Sequence, residues 1–321
     1  MGKTKALITG ITGSGASYLA EYLVENLPDV KVHGLSRWHS TSSIRNIDHI
    51  KDKLTLHECD LTDFSAVFTT LKKIRPDYIF HLAAHANVKV CFSNPLAVMN
   101  NNVNNTINLF EAIRILNLDP VVQFCGTSEV YGLVDKKDTP IREDHPLNPV
   151  NIYAVSKLAQ EKIAMSYFYC YGMKSVITRM FAYINPRRAD IFSTAFANQV
   201  AMIEAGKQKV LKHGNLDSIR NLIDVRDAMR SYWIASQSCK FGEPYNIGGM
   251  NVLSVGDFLE KLKGRSRSTI KSVVNPELLR PSDVTLQISD SSKFIKQTGW
   301  EPEYSLEESI DFLLESCRGR V

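Results

Sequence analysis

No apolar run in the chain approaches the ~18 residues that span a bilayer. The opening MGKTKALITG runs directly into a strand-like segment, so no signal peptide is expected. Position 6 is Ala, not the Ser or Thr of a myristoylation pattern. Cys59, Cys91, Cys125, Cys170, Cys239 and Cys317 form no CxxC pair, and the histidines are not grouped at metal-ligand spacing. Free buried thiols in a reduced, cytoplasmic, metal-free protein are therefore expected. Charge of one sign is lacking too: 38 basic against 34 acidic residues leave a net +4. This balance argues against nucleic acid and suits an anionic small molecule. Neither an internal repeat nor a low-complexity linker interrupts the sequence.

What is present is enough apolar material, 44% of 321 residues, for about two domains or one α/β domain with a sizeable appendage. The first half alternates apolar runs (KALIT, VHGLS, LTLHEC, YIFHLAA, VVQFCG, SVITRMF) with helical patterns near 14–26, 63–74, 95–118 and the segment carrying Tyr153 and Lys157. Such alternation predicts a doubly wound, Rossmann-type parallel sheet that binds ligands at the carboxyl ends of its strands. After about Met180 the pattern changes to short strands and loops, with helices predicted near 192–205, 225–236, 254–263 and 306–315. We therefore expect a dinucleotide-binding domain over 1–180, with a returning segment near 222–248, and a smaller interleaved α/β substrate domain over 181–321.

The first strand leads into Gly10-x-x-Gly13-x-x-Ala16 and then a helix. Glycines permit a sharp turn and close approach to a pyrophosphate, whose charge a helix N-terminus favours. Alone, the pattern also fits an ordinary tight β–α connection; its place in the first βαβ unit favours a cofactor. Strand two ends in GLSRWHSTSSIR, without the acidic residue that would bind a ribose 2′-hydroxyl. Arg37 followed by hydroxyls suits a 2′-phosphate, hence NADP, although a solvated surface arginine is the plainer reading. Asp60 after strand three is placed to accept from an adenine amino group or to cap a helix, and Asp63 is the stronger cap candidate.

Tyr153 and Lys157, four apart, share a helix face. A tyrosine with pKa ~10 becomes a base near pH 7 only with about 4 kcal/mol of differential stabilisation, which an ammonium and an oxidised nicotinamide would supply. An amphipathic helix with a half-buried tyrosine explains YxxxK equally well by itself. In CGTSEVYG, however, Thr127 and Glu129 are two apart at what reads as an extended strand end, so both face the same cleft. Thr127 would assist Tyr153, and Glu129 would be a separate acid–base group.

TGxxGxxA, CDLTD, HLAAH, NVxxT (Asn102–Thr106), GTSEVYG and YAVSK together resemble the extended short-chain dehydrogenase/reductases that modify nucleotide sugars, over nearly the whole chain. The match is strongest to GDP-mannose 4,6-dehydratases. GNLDSIRNLIDVRDA (214–228) and NPELLRPSDV (275–284) are also similar to GDP-4-keto-6-deoxymannose reductases. The resemblance implies NADP held by Gly10, Thr12, Gly13, Arg37, Ser40, Asp60, Leu61, Leu82, Ala83, Ala84, Tyr153 and Lys157. It implies a GDP-sugar held by Asn87, Asn185, Arg220 and Arg280, and catalysis by Thr127, Glu129, Tyr153 and Lys157. The implied cycle oxidises the hexose at carbon 4, removes water across carbons 5 and 6 with Glu129, and returns the hydride to carbon 6.

The sequence departs from the dehydratase pattern where Ala182 and Tyr183 replace Asn-His, Phe196 replaces a lysine, and Ala86 and Asn87 replace Ser-His. These changes make GDP-N-acetylglucosamine a candidate beside GDP-mannose. An NADPH-dependent 4-keto reductase is the main alternative; a 4-epimerase or a non-enzymatic NADP sensor would share the fold. The resemblance also implies a homodimer or homotetramer built on the helices at 95–118 and 153–171. Ile107, Phe110, Ile163 and Tyr167 fit either that seam or the face toward the sheet.

Overall fold

The computed structural model describes residues 3–38, 43–279 and 284–321. Its first part runs β1 (Thr4–Thr9), α1 (Ala16–Asn26), β2 (Val30–Ser36), β3 (Thr55–Glu58), α2 (Phe64–Ile74), β4 (Tyr78–His81), α3 (Val88–Ser93), α4 (Pro95–Ile115), β5 (Val121–Cys125), α5 (Ile152–Tyr171) and β6 (Ser175–Met180). There follow β7 (Tyr183–Ile184), α6 (Phe192–Glu204), β8 (Leu211–His213), β9 (Ile219–Asp224), α7 (Val225–Ser238) and β10 (Pro244–Ile247). The chain ends with β11 (Asn251–Ser254), α8 (Val255–Lys263), β12 (Ser272–Val274), β13 (Leu286–Gln287), α9 (Ser292–Thr298) and α10 (Leu306–Arg318).

Seven parallel strands form the main sheet in the order β10-β6-β5-β4-β1-β2-β3. Because both faces of such a sheet are covered, its strands read as continuous apolar runs and each residue's parity decides its face. Ala6 and Ile8 pack with Leu19 and Leu23 of α1 and with Val225, Met229 and Tyr232 of α7. Leu7, between them, points the other way, toward Val67 and Leu71 of α2, Phe110 of α4 and Ala164 of α5. Each fully buried Leu, Ile or Phe contributes about 1.5–3 kcal/mol. The strand order reverses between β1 and β4, which opens a crevice at their carboxyl ends.

A second sheet runs β11-β9-β13, with β7 paired to β9. Against it α6, α8 and α10 bury Phe196, Val200, Phe258, Leu262, Ile310 and Leu314 around Leu222 of β9 and Ile184 of β7. Capping boxes start α8 at Ser254 and α10 at Ser305, each with a reciprocal Asp257 or Glu308 carboxylate. Among the described residues no helix is long and apolar enough to cross a membrane.

One expectation about packing changes here, and one open alternative is decided. Phe196, where the dehydratases carry a lysine, is a core residue packed on Phe192 and not a pocket residue. Phe110 is wholly buried against the sheet, whereas Ile107 on the same helix is 37% exposed. Of the seam residues, Tyr167 stacks on Phe110 and donates its hydroxyl to Glu111 at 2.6 Å.

Candidate active site

Strand β1 ends in a turn that only glycine accommodates at its first residue. Gly10 has φ +66, and a Cβ there would meet the Ala83 backbone at 3.1 Å, so loop 82–86 lies directly against the turn. The turn delivers the chain into α1, whose N-cap, Gly15, supplies no side-chain hydrogen bond to the first helical amides. Gly13, Ser14, Gly15 and Ala16 line the wall of a cavity of about 610 Å³. The Gly13, Ser17 and Tyr18 amides already donate to the Gly10, Gly13 and Gly15 carbonyls, so it is the positive end of the helix on the cavity wall that fits the pyrophosphate of a dinucleotide.

The same cavity gathers Gly10, Leu82, Ala84, Asn87, Thr127, Glu129, Tyr153, Lys157 and Arg220. The tyrosine and lysine of α5 thus share one space with the threonine and glutamate after β5. The local geometry of the second pair is not the predicted extended end. β5 stops at Cys125, and Ser128–Tyr131 is a turn of 3₁₀ helix capped by the Thr127 hydroxyl, which accepts from the Glu129 amide at 3.3 Å. Gly132 closes that turn with φ +69, where a Cβ would lie 1.9 Å from the Asn148 carbonyl oxygen. Asn151 caps α5 by accepting from the Ala154 amide at 2.8 Å, while its amide nitrogen donates to Glu129 Oε2 at 3.1 Å.

The electrostatics around Tyr153 also differ from expectation. Burial raises the phenol's pKa; the Arg188 charge and a hydrogen bond from Thr127 pull it back. Lys157 is buried, with Nζ 4.5 Å from the centre of the Phe124 ring, and burial lowers its pKa while Cys125 and Glu161 oppose the shift. Arg188 is therefore a cation beside the phenol to which the Tyr153–Lys157 spacing did not point. Arg188 donates to the Ala86 carbonyl at 2.8 Å and to Asp190 at 3.1 Å, holding two cavity walls together. The signal was available: paired arginines just beyond a strand's carboxyl end are placed for a site. Arg187 and Tyr183 line the cavity as well.

The remaining expected residues lie around this space. Ala83 packs on Gly10, donates to Thr9 Oγ1 at 3.1 Å and accepts from Asn105 at 3.2 Å. The Thr12 and Leu61 carbonyls accept from Asn46 and Asn108, both at 2.9 Å. Burial tends to raise the pKa of Asp60, but hydrogen bonds from Thr62 and the charge of Arg37 hold it below the usual value. Asp63, as expected, caps α2. Arg37 is exposed beyond β2, and beside burial its charge also lowers the pKa of His85. Asn185 is fully buried and accepts from the Arg187 amide at 2.9 Å, set back from the cavity lining. Arg220 donates to the Ile219 and Val284 carbonyls. Ser40 and Arg280 lie outside the described residues.

Behind the cavity His81 is sealed between Thr9 Oγ1 and Thr106 Oγ1, both at 3.0 Å, and burial pushes its pKa down to about 3. Asn102 and Asn105 of the NVxxT run bind the backbone of loop 82–86. That run therefore holds the cavity wall in place.

The GDP-mannose 4,6 dehydratase family model matches residues 7–312. The chain belongs to this family. It is 31% identical to a GDP-mannose 4,6-dehydratase of Vibrio cholerae across 95% of this chain and 91% of the relative. Its fold matches RMD from Pseudomonas aeruginosa, solved with NADPH, at TM-score 0.84 and 23% identity over 99% and 100% of the two chains. It also matches DesIV, a dTDP-glucose 4,6-dehydratase of Streptomyces venezuelae solved with NAD and TYD, at TM-score 0.85 and 24% identity over 98% and 97%. The departures from the dehydratase pattern at Ala86, Asn87, Ala182 and Tyr183 all line this member's cavity.

Proposed function

We propose that the chain is a GDP-sugar 4,6-dehydratase that converts a GDP-hexose to the 4-keto-6-deoxy sugar with NADP recycled inside the site. The observation that carries this reading is the meeting of Glu129 with Thr127, Tyr153 and Lys157 in one cavity. A simple carbonyl reductase needs the tyrosine and lysine but no second acid–base group. The V. cholerae relative bears the dehydratase name. In this reading residues 1–180, with a return near 222–248, hold the cofactor, and 181–321 hold the nucleotide sugar.

The N-terminal end of α1 and the close Gly10–Ala83 approach suit the pyrophosphate, and Arg37 suits a 2′-phosphate. When bound, NADP⁺ supplies a hydride acceptor for carbon 4 and, once reduced, a hydride donor for carbon 6. Tyr153, helped by Thr127, takes the proton of the 4-hydroxyl. The resulting ketone acidifies carbon 5, whose proton Glu129 removes. The carbon 6–oxygen bond breaks, and Glu129 returns the proton to the departing hydroxide as water. Carbon 5 takes up one proton from solvent, matched by the one that Tyr153 took from the 4-hydroxyl and releases, so the net change is loss of one water. Asn87, Arg220 and Arg280 are proposed to hold the GDP-sugar, with the arginines on its diphosphate, and Asn185 to support the site from behind the lining.

GDP-mannose is the substrate in the name of the V. cholerae relative. The small side chains of Ala86 and Ala182 extend the proposal to a hexose with a larger group at carbon 2, such as GDP-N-acetylglucosamine. Incubating the protein with each nucleotide sugar and no added NADPH, and following mass, tests both points. Loss of water supports the dehydratase, and the faster substrate identifies the hexose. No reaction with either, together with NADPH consumption on a 4-keto-6-deoxy sugar, would establish the reductase alternative.

A further inference from the structure

We infer that Asn151 is a positioning residue for Glu129, and that one side chain thereby sets the acid–base carboxylate in register with the Tyr153–Lys157 helix. This inference rests on the dehydratase reading of Glu129. The backbone of Glu129 is already fixed from behind. Its turn ends at Tyr131, whose hydroxyl donates to Asn246 at 2.7 Å and accepts from the buried Arg179 at 2.8 Å. Gly132, locked by φ +69 against Asn148, closes the turn. What remains free is the Glu129 side chain, which extends into the cavity over several rotatable bonds.

Asn151 removes that freedom. Its amide oxygen is committed to the Ala154 amide, the first turn of α5, which fixes the side-chain plane. The amide nitrogen, on the opposite end of the same rigid plane, then donates to Glu129 Oε2. Tyr153 follows two residues later on the same helix. A shift of α5 therefore carries the carboxylate with it. With Oε2 anchored, the proton is exchanged at Oε1. The residue type matters, because among the good caps Asn alone carries a donor on an atom separate from the cap acceptor. Asp keeps the cap but presents a second acceptor to Glu129, and Ser keeps the cap with nothing that reaches the carboxylate.

The test compares Asn151→Ser, Asn151→Asp and Glu129→Gln with the wild-type protein loaded with NADP and given a turned-over GDP-hexose. Two quantities are read: the steady-state constants, and the absorbance of reduced nicotinamide during turnover. Serine is as good a cap as asparagine, so Asn151→Ser should unfold at nearly the wild-type temperature. Its kcat should fall roughly 10- to 100-fold with KM within about twofold, as expected for losing a hydrogen bond to a charged group. Reduced cofactor should accumulate, because oxidation at carbon 4 still runs while elimination is slowed. Asn151→Asp should show the same accumulation more strongly, and Glu129→Gln most strongly of all. If Glu129→Gln accumulates reduced cofactor and neither Asn151 variant does, the positioning role is overturned while the function of Glu129 stands. If Glu129→Gln does not accumulate it either, the role of Glu129 fails and the positioning claim falls with it.

Discussion

Replacing Arg179 by Met tests how the catalytic helix is tied to the sheet. Arg179 on β6 is 2% exposed, and its guanidinium grips Glu161 of α5 through two bonds of 3.1 and 2.7 Å. It also donates to Tyr131 at 2.8 Å and to the Glu143 carbonyl at 3.0 Å. Arg179→Met leaves a carboxylate of 0% exposure without its cation. Staying ionised there costs about 3–5 kcal/mol. Taking up a proton instead costs about 1.4 kcal/mol for each unit that the pH stands above the ordinary glutamate value of ~4.3, or about 4 kcal/mol at pH 7. Both routes give a loss of similar size at neutrality, and the cheaper one is followed at lower pH. Urea denaturation at pH 7.5, 6.5 and 5.5 should therefore show a deficit of about 3–5 kcal/mol that shrinks on acidification by up to ~1.4 kcal/mol per unit. The sign follows from linkage: the folded variant binds a proton that its unfolded chain has already released, so the variant loses ground as pH rises. Arg179→Met combined with Glu161→Leu should recover most of the deficit, because an apolar pair needs no compensation. A single-variant deficit below ~1 kcal/mol at pH 7.5, independent of pH, would refute the reasoning.

Three further outcomes are expected. His81 is held neutral with a pKa of about 3, so its contribution to stability is complete above ~6.5 and is lost as pH falls toward 3; His81→Gln should flatten the acid limb of a stability–pH curve. Arg188→Met removes the cation that pulls the Tyr153 phenol down, so the acid limb of the activity profile should move to higher pH, and an unmoved limb would show that Arg188 serves binding alone. Gly132→Ala forces a Cβ to within 1.9 Å of the Asn148 carbonyl oxygen at positive φ, and should either abolish soluble expression or cut turnover at least ~10-fold by displacing Glu129.

The β–α alternation was legible because local patterning decides it: Ala6, Leu7 and Ile8 announce a strand buried on both faces, and Gly10 and Gly13 announce the turn after it. The longer helices fell within a few residues of their predicted spans. The short α3 and α9 were missed, since one or two turns carry too little periodicity to read. Thr127 and Glu129 were correctly brought to one cavity for the wrong local reason: a hydroxyl cap, not strand alternation, orients them. Arg188 could be placed near a site but not beside the Tyr153 phenol, and the Asn151–Glu129 bond was invisible, because each contact depends on where distant segments meet. Spacing predicts which residues share a helix face; it does not predict which charge from another loop will stand beside a phenol.

The seventh strand of the main sheet has a consequence for synthesis. Among the described residues β10 pairs with β6 alone, and roughly 70 residues separate Met180 from Ile247. At a translation rate of about 5–20 residues per second, β6 emerges some 3–14 s before the strand that covers it. Throughout that interval the nascent sheet presents an edge of unpaired backbone N–H and C=O groups, a template for pairing with neighbouring chains. Slowing the ribosome between these two strands should raise the fraction lost to aggregation, whereas slowing it after Ile247 should not.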